Sequence, residues 1–133
     1  MNTKNSQKLV YVVEDNEDQL FLLRMILSDA GFAVVTESDA DKVLDGVTLL
    51  MPDIVMLDVM LPSRDGLDGF ELCGRIRQLE TGARPKVVLV SAIAQKSGTS
   101  ADKLATQAGA DAFVSKPFDP PVLIDRLLQL FAA

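Results

Sequence analysis

Residues 53–62 read Asp-Ile-Val-Met-Leu-Asp-Val-Met-Leu-Pro. Ile54, Val55, Met56 and Leu57 are apolar on consecutive positions, between Asp53 and Asp58. A run this short does not make a helix, and a strand with one wet face would alternate apolar with polar residues. An unbroken apolar run that stops at a carboxylate reads as a strand covered on both faces, as in parallel sheets. Val87, Val88, Leu89 and Val90 repeat the pattern and stop at Ser91.

Outward from these two runs the periodicity alternates. Strands are predicted over 9–13, 32–36, 53–57, 86–91 and 111–115, each bounded by Gly, Pro or polar residues. Helices are predicted over 17–30, 39–50, 69–80, 100–108 and 120–131. Gly31 supplies a stop signal for the first helix. Asp68-Gly69 opens the third, because Phe70-Glu71-Leu72 continues the helical pattern. Asp119 is the expected N-cap of the last, with Pro120 at its first position. In that helix Ile124, Leu127, Leu128 and Phe131 form the expected core stripe. In the first helix the stripe is Leu20, Leu22, Leu23, Ile26, Leu27 and Ala30. Phe21 and Met25 fall outside it and read either as a wide core face or packing on a neighbouring helix, or as an exposed apolar pair where a partner docks.

Alternating β and α units imply an α/β fold, a parallel sheet with helices on both faces. In such sheets ligands bind beyond the carboxyl ends of the strands. The polar residues fall there: Glu14-Asp15 after the first strand, Asp58 after the third, Ser91 after the fourth and Lys116 after the fifth. Converging carboxylates repel one another unless a cation is present. Oxygen donors without Cys or His point to Mg2+. A Lys and a hydroxyl beside them suit the oxygens of a phosphoryl group. Together these parts suit phosphoryl transfer to a carboxylate.

Composition narrows the chemistry further. The chain has 133 residues, one domain's worth, and no histidine, which excludes His-based acid–base catalysis and His-ligated zinc. Cys73 is its single cysteine, so neither an internal disulfide nor a multi-Cys metal site can form. Thirteen basic and nineteen acidic residues give a formal charge of −6, half of it from Glu14, Asp15 and Asp58. This acidity sets an expectation of no direct nucleic-acid binding. No apolar run approaches the roughly 20 residues of a membrane span, so no membrane insertion is expected. Residues 1–7 read as a polar tail without signal-peptide character, residues 8–133 as the domain, and the location as cytoplasmic.

The ordered set of Glu14-Asp15, Asp58 within residues 53–62, Ser91-Ala92 and Lys116-Pro117-Phe118 resembles the receiver domain of bacterial two-component response regulators. The resemblance runs from about Lys8 to the C-terminus. It implies a flavodoxin-like, doubly wound five-stranded sheet of order 2-1-3-4-5 that acts as a stand-alone phosphorylation switch. By this resemblance Asp58 is the phosphoacceptor. Glu14, Asp15, Asp58 and the main-chain carbonyl of Met60 hold Mg2+. Ser91 and Lys116 hold phosphoryl oxygens, Ser91 and Phe113 switch, and the Lys116–Pro117 bond is cis. The implied donor is a sensor histidine kinase or a histidine phosphotransfer protein, and the implied output is altered binding to a protein effector. Family members often receive the phosphoryl group through the first helix. Met60 and Ile93 occupy the family's lifetime-tuning positions; both are apolar, so neither can position a water, and slow hydrolysis is expected.

Two stretches depart from the family pattern. Both Pro62-Ser63-Arg64-Asp65-Gly66 and Asp68-Gly69 fit the usual junction after the acceptor, so that loop is about three residues long in excess. The stretch from Ser91 to Lys116 is also slightly long. A phosphohydrolase with an aspartyl-phosphate intermediate is disfavoured, because the usual Asp-x-Asp second acid is replaced by Met60. A scaffold lacking phosphorylation is disfavoured by the complete acid, hydroxyl and lysine set. A flavin site is disfavoured by the acidic loop after the first strand.

Overall fold

The computed structural model describes residues 7–61, 66–79, 84–91, 106–117 and 119–131. Five strands form one parallel sheet: β1 (Leu9–Val13), β2 (Ala33–Glu37), β3 (Ile54–Asp58), β4 (Lys86–Ser91) and β5 (Ala112–Ser115). Their order is β2-β1-β3-β4-β5. The helices are α1 (Glu17–Asp29), α2 (Val43–Leu50) after a 3-10 turn at Ala40–Lys42, α3 (Gly69–Gln78) and a C-terminal helix, Pro120–Gln129. Residues 106–108 are helical as well. No helix among the described residues is long and apolar enough to cross a membrane.

Alternation along the strands builds two cores. Tyr11, Val13, Val55, Leu57, Val87, Leu89 and Phe113 pack with Val43 and Val47 of α2 and with Leu72, Cys73 and Ile76 of α3. Val10, Val12, Ile54, Met56, Val88 and Val90 pack with Leu23 and Leu27 of α1 and Leu123 and Leu127 of the C-terminal helix. Residues 54–58 are all buried, so the unbroken apolar run of β3 does reflect cover on both faces. α1 and the C-terminal helix bury narrower stripes than the sequence implied. Leu22 is 46% exposed on α1, and Leu128 is 57% exposed on the C-terminal helix, whose core contacts come from Leu123 and Leu127. Phe21 and Met25 are exposed, which removes the core reading for that pair.

Local chemistry sets the boundaries. Asn16 caps α1 by accepting the Gln19 N–H at 2.9 Å. Asp68 and Glu71 form a reciprocal capping box at the start of α3, which makes Asp68-Gly69 the junction. Asp119 is the N-cap of the C-terminal helix, with proline in its first turn. Phe32 stays out of β2 because its N–H closes the end of α1 on Leu27 O. Met51 ends α2 in the left-handed region, at φ 48°.

The order places the functional end. From β1 the chain goes to β2 on one side and then crosses to β3 on the other. The resulting crevice lies past the carboxyl ends of β1 and β3, where Glu14, Asp15 and Asp58 stand.

Candidate functional site

Glu14, Asp15 and Asp58 each offer a carboxylate oxygen, and these oxygens all lie within 4.8 Å of one another. Glu14 and Asp58 are buried and Asp15 is exposed. Glu14 is fixed by its N–H on Glu37 O at 3.0 Å, and its Oε2 accepts the Asn16 N–H at 3.2 Å. Asp58, the last residue of β3, pairs with Val90 of β4. Its Oδ1 accepts the Met60 N–H at 2.9 Å.

Lys116 reaches across from the end of β5. Its Nζ donates to Glu14 Oε1 at 2.9 Å and to Asp58 Oδ2 at 3.0 Å. The Lys116–Pro117 peptide is cis. The Lys116 N–H is held by Ser91 O at 3.0 Å, and Ser91 pairs with Ser115 in the ladder. Buried Ser91 therefore stands one residue beyond Val90, the partner of Asp58. Phe113 is buried two residues before Ser115 and opposite Leu89. Met60 is 62% exposed, and its N–H is already bonded to Asp58. Ala92, Ile93 and Phe118 lie outside the described residues, as do residues 62–65, residues 92–105 and all of the polar tail except Gln7.

The electrostatics follow from burial and pairing. Burial pushes the Glu14 carboxyl above its usual value; the Lys116 hydrogen bond pulls it back, and the neighbouring Asp58 raises it again. Burial works against the Lys116 ammonium, but its bonds to Glu14 and Asp58 outweigh that and raise its pKa. One ammonium faces three carboxylates, which leaves excess negative charge. The donors are all hard oxygens, and among the described residues each Asp58 oxygen accepts one hydrogen bond, which leaves it further lone pairs. That donor set fits a Mg2+ ion.

One residue supports the site in a way that its reading as the helix entry did not include. Gly69 opens α3 with its N–H on Val59 O at 2.9 Å. A Cβ there would stand 2.5 Å from Val59 Cα and 2.9 Å from Asp58 O. Only glycine lets α3 start this close to the main chain that presents Asp58. The signal was a glycine directly after a helix cap, where better helix formers are usual.

The response regulator receiver domain family matches residues 10–128. The transcriptional regulatory protein CseB of Streptomyces coelicolor is 40% identical over 91% of this chain and 48% of its own length. The DNA-binding response regulator MtrA of Mycolicibacterium smegmatis is 34% identical over 89% of this chain and 48% of its own. The chain thus spans about half the length of these relatives. Among solved structures, the BeF3-activated N-terminal receiver domain of Klebsiella pneumoniae RstA superposes with a TM-score of 0.79 at 30% identity. That match covers 93% of this chain and 99% of the other.

These relatives correct one expectation. Acidity argued for partners that exclude nucleic acid, yet CseB is named a transcriptional regulator and MtrA a DNA-binding one. A charge argument applies only to the surface that meets the phosphates. The net charge of a receiver-like stretch says nothing about a DNA-directed output delivered elsewhere. With the βα order, the acidic crevice and the lysine bridge in place, the match over residues 10–128 makes this chain a member of the response regulator receiver domain family.

Proposed function

We propose that this chain is a phosphorylation-dependent signalling switch whose acceptor is Asp58. A carboxylate oxygen of Asp58 attacks the phosphorus of a phosphohistidine on a donor protein. The P–N bond breaks and its electron pair leaves with the imidazole. The observation that carries the reading is the Lys116 bridge, which holds Asp58 and Glu14 from a different strand at 2.9–3.0 Å. Lys116, bonded to Asp58 Oδ2 at 3.0 Å, follows a phosphoryl oxygen once Asp58 is esterified. A Mg2+ held by Glu14, Asp15, Asp58 and the Met60 carbonyl would supply neutralisation of phosphoryl charge.

Ser91 takes a phosphoryl oxygen, and Phe113, on the neighbouring strand, re-packs in response. We read exposed Phe21 and Met25 on α1 as the contact for the donor. CseB and MtrA support an output directed at transcription, carried by a DNA-binding regulator that reads the switched face. The chemistry takes place inside the cell, at one site and once per signal, rather than as turnover of small substrates.

Acetyl phosphate with Mg2+ tests the reading by intact mass. A single phosphoryl adduct, lost in Asp58→Asn and persisting for minutes or longer, is expected. Absence of any adduct, or continuous release of phosphate from small esters, would overturn it.

A further inference from the structure

The amino end of the sheet is tied by side chains far from the site. Asp53 Oδ2 accepts the Leu9 N–H at 2.8 Å, the Asp53 N–H reaches Leu9 O at 2.9 Å, and Asp53 O takes the Lys86 N–H at 2.9 Å. One residue thus joins β1, β3 and β4. Asp111 does the same for β4 and β5: its Oδ2 accepts the Val87 N–H at 2.8 Å, and its N–H reaches Val87 O at 2.8 Å.

Arg77 of α3 locks this second tie. Its Nε donates to Gly109 O at 2.8 Å, its Nη1 to Pro85 O at 2.6 Å, and its Nη2 pairs with Asp111. One planar fork holds the residues just before β4 and just before β5, a geometry that a lysine cannot reproduce. Gly109 is fitted to it. At φ +91° it is in a region that favours glycine, and a Cβ there would stand 3.1 Å from Arg77 Cγ.

The strands so fastened are those that carry the switch. β4 ends in Ser91, and β5 carries Phe113 and leads into Lys116. A pull on Ser91 can slide a strand whose far end is loose. With the far end fixed, the same pull must be absorbed locally. Phe113 lies two residues past the fixed Asp111 and three before Lys116.

We propose that Arg77 is a positioning residue for the switch, because it fastens the amino ends of β4 and β5 and so confines displacement at Ser91 and Lys116 to their carboxyl ends. This rests on the phosphoacceptor reading of Asp58. The test is amide hydrogen exchange on the whole chain, with and without beryllofluoride plus Mg2+ as the phosphoryl mimic. It is run on wild type, Arg77→Lys and Asp111→Asn, so that one variant can fail to fold without ending the experiment. In wild type, exchange is expected to change around residues 58–61 and 113–116, with 86–88 and 111–112 unaffected. In the variants, the mimic is expected to change exchange at 86–88 and 111–112 by at least about threefold. A merely structural arginine would raise exchange there equally with and without the mimic. A variant that responds at 58–61 while the mimic leaves 86–88 and 111–112 untouched overturns the proposal alone. Wild type that responds nowhere overturns the phosphoacceptor reading, and this proposal with it.

Discussion

Two glycines in α3 allow one chemical change to be made twice with opposite expected signs. Gly69→Ala puts a Cβ 2.5 Å from Val59 Cα, whereas Gly74→Ala meets nothing within 4 Å. Carbon atoms in contact sit about 3.5–4.0 Å apart, so the first substitution is short by at least ~1 Å. The atoms it meets are main chain. They cannot rotate away, and Val59 is tied to Val90 O and to the Gly69 N–H itself at 2.9 Å. Overpacking costs roughly 1–3 kcal/mol, and this site belongs at the upper end. Alanine's helix preference returns at most about 1 kcal/mol. The net for Gly69→Ala is then a loss of about 2 kcal/mol, which for a domain of this size lowers Tm by roughly 6–10 °C. Gly74→Ala keeps the helix gain and should raise Tm by a few degrees. Thermal unfolding followed by circular dichroism reads both. The Gly69 variant should also take the phosphoryl group from acetyl phosphate at least ~10-fold more slowly, since the main chain that must shift includes Asp58. If both substitutions raise Tm alike, α3 does not start against Val59, and the account of how Asp58 is presented fails.

Tyr11 is the only tyrosine, and burial, then Glu37 and Asp45, push its phenol up to about 12 from 10.0. A phenol that ionises later in the fold than in the unfolded chain adds stability in full below pH 10 and loses it as pH climbs toward 12. Ultraviolet titration should show no phenolate near pH 10 while the fold persists; a midpoint at 10 in folded protein would refute the burial argument. Met51→Gly should raise the urea midpoint, with about 0.5–1 kcal/mol gained by relieving the left-handed backbone, and an unchanged or lower midpoint contradicts this. Phe21→Ala combined with Met25→Ala should change stability by less than about 0.5 kcal/mol while slowing transfer from a phosphohistidine donor. A large stability loss, or unaltered transfer, counts against a docking role.

The sheet could be read because its three central strands are covered on both faces. Unbroken runs such as Ile54–Leu57 and Val87–Val90 leave little else for the chain to do, and β1 and β4 begin and end where the pattern says. The acidic crevice could be read because strand order gathers strand ends, so Glu14, Asp58 and Lys116 needed no distances to be grouped. Helix faces were less legible. Hydrophobicity alone does not separate Leu22 and Leu128, which face solvent, from Leu23 and Leu127, which do not. Leucines on the flank of a stripe look the same in sequence as leucines at its centre. The close approach at Gly69 and the Arg77 fork were illegible for another reason. Each depends on contact between segments remote in sequence, and neither glycine nor arginine carries a pattern that names its partner.

Cys73 offers an experimental handle of a different kind. It is the sole thiol, has no exposed surface within α3, and burial holds its pKa up to about 11. A water-borne alkylating reagent can meet it only in molecules whose α3 has lifted from the sheet. With closing faster than labelling, the alkylation rate divided by that of an unstructured thiol is the fraction of open molecules. The protein therefore carries a built-in clock for its own opening, readable by mass at neutral pH and without denaturant. Run beside the phosphoryl mimic, the same clock would report how much the modification at Asp58 tightens or loosens the seating of α3 on the sheet.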